Sequence, residues 1–154
     1  CTIILIFLKF NFPNAQIFLG DSGSYLVGSV IAISAIETSI ENIAIHPFFF
    51  CILLFYIFFE VFFSFFRKIF FTRQSPLFPD DKHLHMLLYK YLIKKNKNKL
   101  NSNYIVSVYI NLIYLLLIIP GIIFMENGLF CRYYFFFLLF VYTYIYRRLN
   151  KELK

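Results

Sequence analysis

Charged residues are scarce in this sequence. Only 15% of its 154 residues are Asp, Glu, Lys or Arg, whereas 60% are apolar. Ordinary soluble domains contain about a quarter charged and about half apolar residues, so the composition excludes that class of protein. We therefore expect residues 1–154 to belong to one domain that is embedded in a lipid bilayer.

Cysteine is also sparse, and its spacing excludes the common metal and redox motifs. The 3 cysteines are Cys1, Cys51 and Cys131, and no two of them are close in sequence. Zinc, haem and thioredoxin-like sites use cysteines that are separated by only a few residues. Each cysteine is therefore interpreted as a small apolar residue.

An initiator methionine is missing as well. The chain begins at Cys1 inside an apolar run, with no basic flank before it. This is not the pattern of a signal peptide. We expect the sequence to be the carboxyl-terminal portion of a longer protein, with Thr2 to Leu8 as the end of a truncated helix.

What the sequence does have is long apolar segments, at about residues 23–36, 47–66, 104–124 and 130–146. All but the first approach the roughly 20 residues that an α-helix needs to cross a bilayer. They are continuously apolar, whereas the strands of a membrane barrel alternate. The predicted fold class is therefore all-α: a polytopic helical membrane protein with about four transmembrane helices plus a truncated amino-terminal helix.

The basic residues predict an orientation. Nine of the 15 Lys and Arg residues lie between Arg67 and Lys99, and four lie in the carboxyl-terminal tail. Because such residues accumulate on the cytoplasmic side, we predict a cytoplasmic basic loop at residues 67–103, on the same face as the tail and Asp21. Residues 94–103 are interpreted as a solvated linker. Nucleic acid is not an expected partner, since no soluble basic and aromatic platform is present.

The first candidate site surrounds Asp21, where a predicted cytoplasmic loop enters a helix. Backbone N–H groups at a helix amino terminus attract phosphate, and a carboxylate oxygen is a typical ligand of Mg²⁺. Gly20 and Gly23 would allow close approach to the backbone. In the alternative interpretation, Asp21 or Ser22 caps the helix, and Ser24 and other small residues serve helix packing.

The second candidate site lies in the basic loop. Arg67 and Lys68 can neutralise a diphosphate, and His83 and His85 can donate hydrogen bonds to it or ligate a metal. The alternative interpretation is a surface loop with structural prolines. Glu60, an ionisable residue in an apolar segment, is expected either to pair within the helical bundle or to take part in the site.

Together the two motifs resemble those of the polyprenyl-phosphate N-acetylhexosamine-1-phosphate transferases. Their patterns are N-A-x-x-F-x-G-D-x-G-S and S-P-x-x-P-D-x-x-H-x-H-H. The matching residues are Asn14, Ala15, Phe18, Gly20, Asp21, Gly23 and Ser24 in the first motif and Ser75, Pro76, Pro79, Asp80, His83 and His85 in the second. The H-x-H arrangement is nearer to the N-acetylglucosamine-type branch, which initiates surface polysaccharides, than to the peptidoglycan branch.

This resemblance implies an enzyme of a bacterial cytoplasmic membrane that transfers N-acetylhexosamine 1-phosphate from a UDP-sugar to a polyprenyl phosphate and releases UMP. It implies Mg²⁺, or Mn²⁺ in its place, with Asp21 as a ligand. It also implies that His83 and His85 stabilise or position the diphosphate. The implied substrate-binding residues are Asn14, Gly23, Ser24, Arg67, Lys68 and Asp80. A homodimer is left open.

The sequence departs from the family pattern in two ways. Met86 stands where the family has its last histidine, and the family's upstream carboxylates, including an adjacent aspartate pair, do not occur in this chain. We therefore expect this fragment alone to be inactive. Two other interpretations stay open. One is a non-catalytic membrane-protein remnant or accessory helical bundle. The other is a small transporter, which only Glu60 and the Pro120-Gly121 pair support.

Overall fold

The fold is helical. The computed structural model describes residues 2–12, 16–73, 75, 78, 80–96 and 99–153, and these residues form seven α-helices and one π-helix with no strand. The elements are α1 (Thr2–Asn11), α2 (Gly20–Glu41), α3 (Pro47–Leu53), α4 (Phe55–Phe66), π1 (Arg67–Thr72), α5 (Leu84–Asn96), α6 (Lys99–Ile123) and α7 (Gly128–Leu153). They belong to two compact units, an amino-terminal unit (Cys1–Ile43) and a carboxyl-terminal unit (Ala44–Lys154). The all-α prediction is confirmed.

In the amino-terminal unit, α2 is longer than the span predicted at residues 23–36. It has 22 residues and includes polar residues at both ends that the prediction placed outside it. The hydroxyl groups of Ser24, Ser29 and Thr38 each donate to the carbonyl oxygen four residues earlier, at 2.7 to 2.8 Å. Because these side chains are satisfied within the helix, they extend it instead of ending it.

In the carboxyl-terminal unit, the span predicted at residues 47–66 is broken. Helix α3 ends at Leu53, α4 begins at Phe55, and the two helices are bent by 76°. The hydroxyl group of Tyr114, on α6, donates a hydrogen bond to the carbonyl oxygen of Leu53 at the break. A donor at this position offsets the cost that a free carbonyl group has in lipid, and so it stabilises the bend.

Much of the predicted basic loop is also helical. Helix α5 reaches Asn96 and α6 begins at Lys99, so the linker predicted at residues 94–103 is wrong for 94–96 and 99–103. Residues 97 and 98 lie outside the described part. Helix α5 packs against α6 and α7, and Leu87 on it is only 3% exposed. This packing stabilises helix α5, which the sequence analysis did not predict because the segment is rich in lysine.

Two glycines allow close approaches in the carboxyl-terminal unit. A Cβ atom at Gly121 would lie 2.9 Å from Cγ2 of Ile52, and one at Gly128 would lie 2.4 Å from the His46 ring. The backbone N–H of His46 donates to the carbonyl oxygen of Met125 at 3.0 Å. The turns around His46 and Met125 are therefore in contact.

Within the described ranges, three helices are long and apolar enough to cross a bilayer: α2, the Ser102–Ile123 part of α6, and α7. The bent pair α3 and α4 is a fourth if it forms a single span, in agreement with the predicted number. Helix α7 continues to Leu153, so the basic tail is helical as well. The chain is part of a multi-pass membrane protein.

Candidate active site

Asp21 lies in the first turn of α2, and its side chain is exposed. The cap position is occupied by Leu19, which makes no capping hydrogen bond through its side chain. The alternative in which Asp21 or Ser22 is the cap residue is therefore wrong. Asp21 has no hydrogen bond or ion pair with any residue that the structure describes. Its carboxylate is free for a ligand beside the N–H groups of the helix start.

Small residues shape the same helix start. Gly20 has φ +71°, a backbone conformation that glycine adopts without strain. A Cβ atom at Gly23 would lie 2.7 Å from the Leu19 side chain, and the Ser24 hydroxyl group donates to the Gly20 carbonyl oxygen at 2.8 Å. Gly23 and Ser24 thus have local structural roles, and their role in binding substrate stays a prediction. Asn14 lies outside the described residues.

In the carboxyl-terminal unit, Glu60 connects three helices. Its Oε1 accepts the backbone N–H of Leu84 at 2.7 Å and lies 3.0 Å from Nδ1 of His83, while its Oε2 accepts the Tyr142 hydroxyl group at 2.6 Å. Glu60 belongs to α4, Leu84 begins α5, and Tyr142 belongs to α7. Of the two interpretations of Glu60, pairing within the bundle is confirmed, and one partner is a predicted site residue.

A second polar cluster attaches the loop to the end of α4. Asp80 forms an ion pair with Arg67, and the Ser64 hydroxyl oxygen lies 3.3 Å from each of their side chains. Lys68 donates to the carbonyl oxygen of Phe78 at 2.5 Å. Arg67 and Lys68 are 8% and 7% exposed, so both cations are largely enclosed by protein. Nε of Arg67 is buried without a hydrogen-bond partner among the described residues.

The rings of His83 and His85 lie against each other, with centroids 5.7 Å apart and planes inclined by 14°. Partial burial of the ring lowers the pKa of His85, the Glu60 carboxylate opposes this shift, and His83 adds to it. At neutral pH the His85 ring is therefore uncharged, with one nitrogen as donor and the other as acceptor.

Comparison with known proteins finds similarity over part of the chain. The sequence profile of glycosyl transferase family 4 matches residues 1–39, which contain Asp21 and its motif. A protein of Thermotoga maritima named undecaprenyl-phosphate alpha-N-acetylglucosaminyl 1-phosphate transferase is 34% identical over 82 residues. Both matches support a relationship to glycosyl transferase family 4. The aligned residues are 53% of this chain and 26% of the relative, so the chain spans about a quarter of the length of that curated relative. No solved structure matches the chain.

A metal site in the described part of this chain would have few protein ligands. Among the described residues, no group of three or more His, Cys, Asp or Glu side chains is placed to hold a metal ion. The exposed carboxylate of Asp21 fits a cation that arrives with substrate. Mg²⁺ is commonly bound in this way, through one or two carboxylates together with substrate phosphates and water.

Two of the clustered residues were missed by sequence reasoning, Tyr142 and Ser64. Tyr142 is one of 12 tyrosines, and nothing in its apolar segment distinguishes it. The available signal was Glu60, because a carboxylate inside an apolar helix requires donors from elsewhere in the bundle. Which residue supplies them depends on the packing of α7 against α4.

Proposed function

We propose that the complete protein transfers an N-acetylhexosamine 1-phosphate from a UDP-sugar to a membrane polyprenyl phosphate and releases UMP. The observation that carries the proposal is the position of Asp21. It is an exposed carboxylate in the first turn of a membrane helix, within the segment that matches glycosyl transferase family 4. The name of the Thermotoga maritima relative supports the same class of reaction.

The start of α2 suits a diphosphate. Its first N–H groups carry partial positive charge, and Asp21 can provide an oxygen ligand to Mg²⁺ or Mn²⁺. When bound, the cation neutralises charge on the phosphates. Space is available beside the backbone, because a Cβ atom at Gly20 would meet no atom of the described residues within 4 Å. Asn14, Gly23 and Ser24 are the proposed substrate-binding neighbours.

His83 and His85 are the proposed catalytic residues of the loop. Phosphoryl transfer requires positioning of the reactants and stabilisation of charge, both of which hydrogen-bond donors supply. His83 is held by Glu60, and His85 lies against His83. We therefore assign to the pair the positioning of the diphosphate, with His85 as the proposed hydrogen-bond donor.

Arg67, Lys68 and Asp80 are proposed to contribute to substrate binding through the shape and charge of the loop. Their contacts with one another and with Phe78 keep that loop at the end of α4. The two motifs have the same order along the chain as in the transferases that they resemble, which supports the same class of reaction.

The proposed site faces the cytoplasm of a bacterial cell. The distribution of basic residues in the sequence predicts that Asp21 and Arg67 lie on the same face of the membrane. The basic residues after α4 indicate that this face is the cytoplasmic one. The proposed donor is UDP-N-acetylglucosamine, and the lipid-linked product would begin a surface polysaccharide.

A transfer assay tests the proposal. Membranes that contain the product of the complete open reading frame are incubated with radiolabelled UDP-N-acetylglucosamine and undecaprenyl phosphate. We expect a lipid-linked sugar diphosphate that requires Mg²⁺, disappears with a chelator and returns when Mg²⁺ is restored. Inserted protein that gives no product with any UDP-N-acetylhexosamine would refute the proposal and favour a non-catalytic remnant.

A further inference from the structure

We infer that Glu60 is a positioning residue that holds His83 in the tautomer protonated on Nδ1, so that Nε2 is the nitrogen available to substrate. The inference rests on the proposed function for the task of His83. How His83 is held follows from the contacts alone. Tyr142 completes the arrangement, because its hydroxyl group occupies the other oxygen of Glu60.

The tautomer follows from the roles of the hydrogen-bonding atoms. The backbone N–H of Leu84 can only donate, and it lies 2.7 Å from Oε1 of Glu60. The same oxygen, which accepts this bond, lies 3.0 Å from Nδ1 of His83 and accepts from that atom as well. Nδ1 therefore carries a proton, and Nε2 is left as the second ring nitrogen.

The orientation of the ring follows from the same oxygen. Leu84 is the first residue of α5, so Oε1 of Glu60 receives both the first N–H of that helix and the ring N–H of the residue before it. Turning the ring by half a revolution would replace Nδ1 by a carbon atom and lose the second bond. The hydrogen bond between Nδ1 and Oε1 therefore favours one orientation of the ring.

The side chains of Glu60 and His83 differ in burial. The Glu60 side chain is 10% exposed, whereas that of His83 is 28% exposed. The carboxylate is thus enclosed by protein, while part of the imidazole ring remains accessible. This is the arrangement expected when one residue acts through another and does not itself touch the substrate.

His46 provides an internal reference with the opposite tautomer. Its Nδ1 accepts the backbone N–H of Phe48 at 3.3 Å, so the proton of the neutral ring is on Nε2. The chain contains only 3 histidines, His46, His83 and His85, and their nitrogen signals can be assigned one by one. Magnetic resonance can therefore compare both tautomers in one sample.

The first measurement uses the chain with isotope-labelled histidine in lipid nanodiscs, at a pH where histidine is neutral. Signals are assigned with His46→Gln and His85→Gln. We expect a proton on Nδ1 of His83 and on Nε2 of His46. The double variant Glu60→Met, Tyr142→Phe removes the carboxylate together with its hydroxyl donor, and should abolish the Nδ1 preference of His83 while His46 keeps its signal. The unchanged His46 signal shows that the variant is folded.

The second measurement is the transfer reaction of the complete protein. The double variant should lower kcat by about 10- to 100-fold with KM within about twofold, because the lost groups do not contact substrate. Glu60→Gln, whose amide oxygen still accepts an N–H, should recover part of the activity. Glu126→Gln, at an exposed turn, is the matched control and should keep full activity.

Three outcomes would overturn the inference: a proton on Nε2 of His83 in the wild-type chain, an unchanged His83 tautomer in the folded double variant, or a changed tautomer with full kcat. A wild-type protein that transfers nothing would refute the proposed function. The tautomer would still be decided, because its measurement needs no substrate.

Discussion

Asp21 and Glu60 are carboxylates of the same membrane protein in opposite surroundings. Asp21 is exposed in the first turn of α2 and has no partner among the described residues. Glu60 is 8% exposed and is bonded to the backbone of α5, to His83 and to Tyr142. An acidic residue in a membrane helix is thus not a ligand site by itself. Its hydrogen-bond partners decide whether it is free for a ligand or holds another residue in place.

The described residues of the two units also differ in packing: those of helix α2 are less buried than those around Glu60. Helix α2, every residue of which is described, has no buried residue. In the carboxyl-terminal unit, aromatic side chains pack around the Glu60 partners, as where the Phe59 ring meets Tyr142 edge-on at 4.9 Å. We therefore expect substitutions around Asp21 to affect transfer, and substitutions around Glu60 and the loop to affect stability as well.

Asp21→Asn should have the largest effect on transfer. We expect a loss of about 100-fold or more in kcat, because the proposed carboxylate ligand of the cation that neutralises the diphosphate is removed. The apparent Tm should not change, since Asp21 has no protein partner among the described residues. Transfer assays and thermal unfolding followed by circular dichroism test both parts. Glu41→Gln, which changes another exposed carboxylate of α2, is the control. A fall in the apparent Tm of Asp21→Asn together with its loss of activity would contradict the difference between Asp21 and Glu60.

Two adjacent aspartates should differ in their effect on stability. Asp80 is 8% exposed and paired with Arg67, so Asp80→Asn should destabilise the chain by about 3 kcal/mol by leaving a buried cation uncompensated.

Asp81 is 65% exposed and pairs with Lys90, whose hydrogen bond and charge lower the pKa of Asp81. Asp81→Asn should therefore cost less than about 1 kcal/mol. Thermal unfolding under the same conditions gives the shift in apparent Tm of each variant, and we expect the larger shift for Asp80→Asn. Equal shifts in apparent Tm would contradict it.

Glycine substitutions test the difference in packing between the two units. Gly121→Ala should destabilise the chain by about 1–2 kcal/mol, because the new Cβ atom would lie 2.9 Å from the buried Ile52. Gly28→Ala on α2 is the matched control: nothing lies within 4 Å of its Cβ position, and alanine favours helix by about 0.5–1 kcal/mol. Opposite shifts in apparent Tm are expected, and equal destabilisation would contradict the difference.

The smallest expected effect is a pH dependence from His85. Its folded-state pKa lies below the ordinary value of 6.5, so the unfolded chain binds a proton more readily than the folded chain does. The contribution of His85 to stability is therefore fully present above about pH 6.5 and is lost as pH falls from there through the lowered pKa. We expect the apparent Tm to fall over that range, and His85→Gln to reduce the fall. An identical pH profile in the variant would contradict the assignment.

Much of the fold could be predicted because lipid permits few solutions. Apolar segments near 20 residues long become helices, and four of the predicted spans have helical counterparts. The bend at Leu54 was not predictable, because it depends on a hydroxyl donor from Tyr114 on another helix. Helix α5 was missed for a related reason: packing against α6 and α7 outweighs a composition that indicated a linker.

The candidate site was predictable to a similar degree. Its motif residues were found in the sequence, because the spacing of Asp21, His83 and His85 matches a family pattern. Their supporting contacts were not found, since Ser64 and Tyr142 carry no pattern of their own. Arg67 and Lys68 were predicted to bind substrate, which stays a prediction. The structure adds that both cations are enclosed and bonded to their own loop.

The sequence by itself determined that this protein lies in a lipid bilayer, that it is helical, and which residue types are available for chemistry. These properties follow from hydropathy and local motifs, which depend only on the order of residues along the chain. Only the tertiary structure decided that Glu60 is a partner of His83 and not a free carboxylate, and that Asp80 is enclosed while Asp81 is exposed. These distinctions depend on which groups meet across helices far apart in sequence. At those contacts, burial makes every polar group depend on a specific partner.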